Sequence, residues 1–116
     1  MTPEQLAAVY ECLREFPPFS RWDLPSALDI EFTVNRAHGQ YGSCTHYRRT
    51  TQYCISVSEA NVGHFNTLLA VMGHEMLHLR QIIEKTQTAN TCHNAEFRIS
   101  NTSMCAQFGW DEKLFI

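Results

Sequence analysis

Residues 65–83 read Phe-Asn-Thr-Leu-Leu-Ala-Val-Met-Gly-His-Glu-Met-Leu-His-Leu-Arg-Gln-Ile-Ile. Phe65, Leu68, Leu69, Val71, Met72, Met76, Leu79, Ile82 and Ile83 recur at helical spacing over about five turns. So broad an apolar face belongs to a central helix, beginning at about Asn61, rather than to one lying on the surface. Inside it stand His74, Glu75 and His78, in the order His-Glu-x-x-His. The two histidines are four residues apart, so both imidazoles project from one face about one turn apart, within reach of a single Zn²⁺. Glu75 is about 100° round the helix. From there a carboxylate can take a proton from a zinc-activated water and pass it to a leaving amine without becoming a ligand. The competing reading is two histidines and a solvated glutamate on a polar face. The apolar surroundings from Leu68 to Ile83 weigh against it, because burying three such groups without partners is costly.

A catalytic zinc site usually takes three protein ligands and leaves one position open. His38, His46, His64, His93, Cys92 and downstream glutamates are the candidates. His64 falls at the exposed start of the same helix, and His38 and His46 belong to a turn-rich hairpin. Cys92 has only adjacency in its favour and reads better as a buried, inert thiol. His93 is placed best. It follows a polar loop, Gln87–Thr91, long enough to reverse the chain, and it opens a last helix from near Asn94 to Phe108 that Gly109 can end.

Upstream, Thr2-Pro3-Glu4-Gln5 is a capping-box start for a helix over about residues 3–16, with Leu6, Val9, Tyr10, Leu13 and Phe16 as its core stripe. Pro17-Pro18 stop it, and Phe19 to Ala27 reads as an ordered loop. Ile30, Phe32 and Val34 alternate with polar residues as in a half-buried strand, Ser43–Arg49 reads as a second, more polar strand, and Tyr53, Ile55 and Val57 mark a third. A small antiparallel sheet is the economical assembly.

Length and composition bound the rest. With 116 residues, 44% hydrophobic and 18% charged, the chain reads as one globular α+β domain over 1–116, neither disordered nor fibrous. No apolar run approaches the roughly 18 residues of a membrane span. Five scattered cysteines without a CxxC pair, and a start lacking a signal peptide's basic and apolar regions, lead us to expect a cytoplasmic protein with reduced thiols. Cys44 and Cys54 flank a turn and can face each other across two strands; two free thiols is the favoured reading. The net charge of −3 argues against a whole-domain nucleic-acid footprint. Between Glu31 and Glu59, however, Arg36, His38, His46, Arg48 and Arg49 lie among Tyr41, Tyr47 and Tyr53 with no acidic residue. The Arg36/Arg48/Arg49 hairpin is thus a candidate weak contact for nucleic acid, against the plainer reading of a solubilising hairpin. The three tyrosines are also candidate oxyanion donors. Gly73, inside a helix, calls for a close neighbour. Trp22 and Trp110 read as core-edge aromatics.

These features together resemble the SprT-like zinc metallopeptidases, the Spartan/SprT family. The residues carrying the likeness are His74-Glu75-Met76-Leu77-His78 and His93-Asn94-Ala95-Glu96-Phe97, which is similar to the family's H-G-x-x-[FW] element. The fourteen residues between His78 and His93, the Ile55–Ser58 strand before the metal helix and the order of elements agree with it. The resemblance covers nearly the whole chain. It implies a zincin-like fold, His74, His78 and His93 as Zn²⁺ ligands, Glu75 as catalytic acid/base, and endopeptidase activity on protein substrates, among them DNA-associated proteins. It also implies that a substrate segment pairs with the edge of the Tyr53–Ser58 strand. The family's glycine is here Asn94, a residue that can also adopt left-handed geometry. The expectation is a minimal version of the family, without zinc ribbon or C-terminal tail. The rival is a non-catalytic zinc-binding interaction domain whose metal is structural.

Overall fold

The computed structural model describes residues 1–47, 49–50, 52–86 and 93–115. Helix α1 (Pro3–Arg14) begins with the expected reciprocal cap: Gln5 N donates to Thr2 Oγ1 (3.2 Å) and Thr2 N to Gln5 Oε1 (2.9 Å). Leu6, Val9, Tyr10 and Leu13 are its buried stripe. The helix ends two residues early, so Phe16 lies past its end, half exposed, and meets Phe108 edge-on at 6.4 Å. The segment that follows is tied back to α1, as an ordered loop should be. Tyr10 Oη donates to Pro25 O (2.5 Å), Arg14 Nη1 to Leu24 O (3.0 Å) and Ala27 N to Glu11 Oε1 (2.7 Å).

Strands β1 (Ile30–Asn35), β2 (Gly42–Tyr47) and β3 (Gln52–Ser58) form one sheet in the order β1-β3-β2. The sheet is mixed, which corrects the expected antiparallel assembly: β2 pairs antiparallel with β3, but β1 pairs parallel with it. The cause lies in the loop after β1. Asn61 Nδ2 donates to the carbonyls of Ala37, His38 and Gln40, Ser58 Oγ donates to Ala37 O, and Ser58 N to Tyr41 O. The loop is thereby carried across the end of β3, and β2 arrives on its far side. β3, with Ile55 and Val57 buried on one face and Cys54 and Ser58 on the other, takes the centre, while the polar β2 takes an edge. The register sets Cys44 opposite Ile55 and Cys54 opposite Thr45, so the two thiols occupy opposite faces and both are free.

Helix α2 (Phe65–Glu84) starts after His64, about four residues later than the expected start near Asn61, and packs on α1, β2, β3 and α3 (Ala95–Phe108). Every residue from Ala70 to Leu79 is buried. Gly73 sits under the Trp110 ring: a Cβ there would be 2.7 Å from the indole and 3.1 Å from Phe19, so only glycine admits this contact. Leu6, Val9, Leu13, Phe32, Ile55, Val57, Val71, Met72, Met76 and Met104 share one apolar cluster. Each such side chain contributes about 1.5–3 kcal/mol by leaving water. No described helix is long and apolar enough to cross a membrane.

Candidate metal centre

His74 and His78 stand on the face of α2 turned towards α3, and His93 comes in two residues before α3 begins. His78 Nε2 lies 3.2 Å from His74 Nε2 and 3.1 Å from His93 Nε2, and all three residues can place a ligand atom within 4.8 Å of the others. Two nitrogens each about 2.0–2.1 Å from a tetrahedral zinc ion stand about 3.3 Å apart, so the observed spacing suits one ion. Among the described residues this is the one such cluster.

The electrostatics agree with the geometry. Burial pushes the His74 imidazole down to about 3, helped by His78 and His93, and His78 to about 4, helped by His93; burial also lowers His93. All three are neutral at pH 7, the form whose ring nitrogen can bind a metal. Phe97, fully buried on the first turn of α3, is their common support. It stacks on His78 (4.4 Å between centroids, 24°) and His93 (4.6 Å, 10°), and meets His74 edge-on at 5.1 Å. In the sequence Phe97 stands out as part of the element that carries His93; that it lies against all three imidazoles required the fold.

Glu75 is only 4% exposed, and burial raises its carboxyl to about 8. It lies against β2. A Cβ on Gly42 would come within 3.2 Å of Glu75 Oε2 and 2.7 Å of the Ser56 carbonyl, so Gly42 is what lets the edge strand approach the carboxyl. Cys44 follows on the same face, its thiol held up by burial and by Glu75.

The other candidate ligands lie elsewhere. His64 is exposed before α2, His38 is exposed in the loop held by Asn61, and His46 stacks on Tyr53 at 4.7 Å. Cys92 and the Gln87–Thr91 loop fall outside the described residues. Glu84 pairs with Arg80 (3.2 Å), and Glu96 is exposed. Asn94 needs no left-handed backbone. With φ −72° and ψ −179° it is extended, and it caps α3 by accepting from Phe97 N at 2.9 Å. The expected substrate edge also moves, because β3 is central and the edge beside Glu75 belongs to β2. Of the three arginines, the two described ones lie apart. Arg36 pairs with Glu59 (2.9 Å) at one end of β3, Arg49 sits in the turn at the other end, about 20 Å along the sheet, and Arg48 falls outside the described residues. Of the three tyrosines, Tyr41 directly precedes Gly42, whereas Tyr47 is exposed at the hairpin end of β2.

Compared with protein-family models, curated proteins and solved structures, the chain matched none.

Proposed function

We propose that the chain is a zinc-dependent endopeptidase on a zincin-like frame, with His74, His78 and His93 as ligands and Glu75 as general base. The observation that carries this reading is the convergence of three neutral imidazoles on one point, with a buried carboxyl on the same helix as two of them. Three imidazole nitrogens without a thiolate or carboxylate suit zinc, and a three-ligand set leaves a position open. A bound zinc ion supplies a Lewis acid that polarises a peptide carbonyl and acidifies water. Glu75 handles the proton: a carboxylate oxygen takes it from the attacking water, holds it, and releases it to the amine nitrogen as the C–N bond breaks. Burial raises this carboxyl to about 8, and a cation held by the three histidines would favour the ionised form that takes the proton. Phe97 keeps the His78 and His93 rings in place from behind.

The substrate class follows from β2. It is an edge strand whose Gly42 end lies beside Glu75, and an extended peptide pairing with it would be held by main-chain hydrogen bonds whatever its side chains. Unfolded or flexible protein segments fit that mode, and DNA-associated proteins are the members of this class that the resemblance suggests.

The test compares wild type with Glu75→Gln, both purified without chelator. Zinc per chain is measured by elemental analysis, and cleavage on a fluorescently labelled unfolded protein. About one zinc in both and cleavage by the wild type alone is the expected result. One zinc in both and cleavage by neither would make the metal a structural link between α2 and α3. Full cleavage by Glu75→Gln would overturn the assigned mechanism.

A further inference from the structure

We infer that Gln81 and Asn94 are positioning residues that carry His93 to the metal site, so that the third ligand is held in place by the chain before any ion arrives. The inference rests on the reading of the three histidines as ligands and concerns how that site is built. Its starting point is a junction of two helix ends. Helix α2 leaves through Lys85 in the left-handed region (φ 59°), with Lys85 N donating to Ile82 O (3.3 Å) and Thr86 N to Gln81 O (3.0 Å), the two bonds of a Schellman stop. Asn94 lies across this stop. Its Oδ1 accepts from Phe97 N (2.9 Å) and from Gln81 Nε2 (3.2 Å), and its Nδ2 donates to Thr86 O (2.9 Å). One side chain therefore joins the last turn of α2, the chain leaving it and the first turn of α3. His93 is its immediate neighbour, so fixing Asn94 limits where the imidazole can go.

Gln81 is an unusual residue to find there. It is 2% exposed, one turn beyond His78, and a buried amide is retained at a cost unless it has work to do. Its nitrogen holds Asn94, while its Oε1 has no hydrogen-bond partner among the described residues, and neither has His78 Nδ1. Unsatisfied polar atoms this deep call for an explanation. An imidazole that gives Nε2 to a metal carries its proton on Nδ1 and needs an acceptor for it, and groups in that outer layer set ligand orientation. Gln81 thus brings polar capacity to the site beyond what the bond to Asn94 uses.

Cobalt(II), which reports four-coordinate binding by its visible absorption, is titrated into wild type, Gln81→Met, Asn94→Ser and the double variant. Gln81→Met keeps the length and the packing but removes the amide. Asn94→Ser keeps a helix cap but cannot bridge to Thr86. Each single variant is expected to weaken cobalt binding about tenfold or more, with far-UV helix signal retained. The double variant should bind no more weakly than Asn94→Ser, since that change already removes the bond to Gln81 together with the one to Thr86. Should Gln81→Met lose its helix signal, Asn94→Ser carries the same comparison alone. Wild-type cobalt affinity in the folded single variants would overturn the positioning role and leave the three-histidine site standing. A wild type that takes up no cobalt would overturn the site, and the positioning role with it.

Discussion

The two halves of α2 differ in how they are covered and in the chemistry they bury. From Phe65 to Met72 the covered side chains are apolar: Leu68, Val71 and Met72 join the core, while Phe65, 65% exposed, and Leu69 border an open apolar groove of about 1100 Å³ against Val9, Leu13 and Phe16. From Gly73 to Gln81 the covered side chains include His74, Glu75, His78 and Gln81, none more than 7% exposed. Burial stabilises the first half, whereas in the second the burial of Met76, Leu77 and Leu79 is set against polar groups that cost about 1–3 kcal/mol each where unsatisfied.

The largest expected effect that sharpens this contrast is Phe97→Ala. Removing a fully buried ring costs about 3–5 kcal/mol in urea unfolding of the metal-free protein. It should also weaken zinc binding by the folded protein, because His78 and His93 lose their stacking surface. Met72→Ala, in the apolar half, is expected to cost about 2–5 kcal/mol and leave zinc affinity of the folded protein as it was.

Metal removal comes next. A ligand at a hundred times its dissociation constant stabilises the native state by about 2.7 kcal/mol, so chelation should lower the melting temperature of the zinc-loaded wild type and leave His93→Ala unmoved. A wild-type melting temperature indifferent to chelator would erase the difference between the two halves.

Smaller again is Gly42→Ala, expected to cost about 1–3 kcal/mol by overpacking, since the added carbon meets the Ser56 backbone oxygen, which cannot swing aside. Gly73→Ala should cost less, because alanine returns about 1 kcal/mol of helix propensity against the clash with Trp110. Chemical denaturation of both variants gives the order.

The pH profile of the metal-free protein follows from the same buried groups. His74 and His78 fall from 6.5 to about 3 and about 4 on folding, so the unfolded chain binds more protons below pH 6.5 and stability drops as pH falls. Glu75 rises from 4.5 to about 8, so the folded chain holds an extra proton between those values and stability drops as pH rises through them. Between pH 4.5 and 6.5 His74 and His78, joined by His93, oppose Glu75, and from 6.5 to 8 Glu75 acts alone. Stability should peak near pH 6.5 and fall on either side by on the order of 1 kcal/mol per pH unit. Glu75→Gln should flatten the alkaline side and steepen the acid side, and denaturant midpoints across pH 5–8 would show both. The smallest effect belongs to the apolar half: Phe65→Ser, at a largely exposed position, should shift unfolding by no more than about 0.5 kcal/mol.

Much of this was legible along the chain because it is local. Helical spacing, the Thr2 cap, the proline stop and the Gly109 end are decided by neighbours within a few residues, and all appear in the fold. His74 and His78 share a face by helical geometry alone, and the loop length made His93 the best third partner. Strand pairing was misread because β1 and β3 are brought together by bonds from Ser58 and Asn61 to a loop about twenty residues earlier, which no alternation pattern records. Asn94 was read as a tolerated substitute for glycine, whereas its partners Gln81 and Thr86 lie 13 and 8 residues away.

The amino-acid sequence by itself determined which residues can do chemistry: two imidazoles one helical turn apart, a carboxyl beside them, and a third imidazole further along the chain. Side-chain type and helical period are properties of the chain. Only the tertiary structure decided that the three nitrogens meet, that Phe97 supports them, that Gly42 admits the edge strand to Glu75 and that Gln81 reaches Asn94. Those are contacts between distant segments, set by how the elements pack and by which backbone groups must be satisfied on the way, and a one-dimensional pattern contains neither.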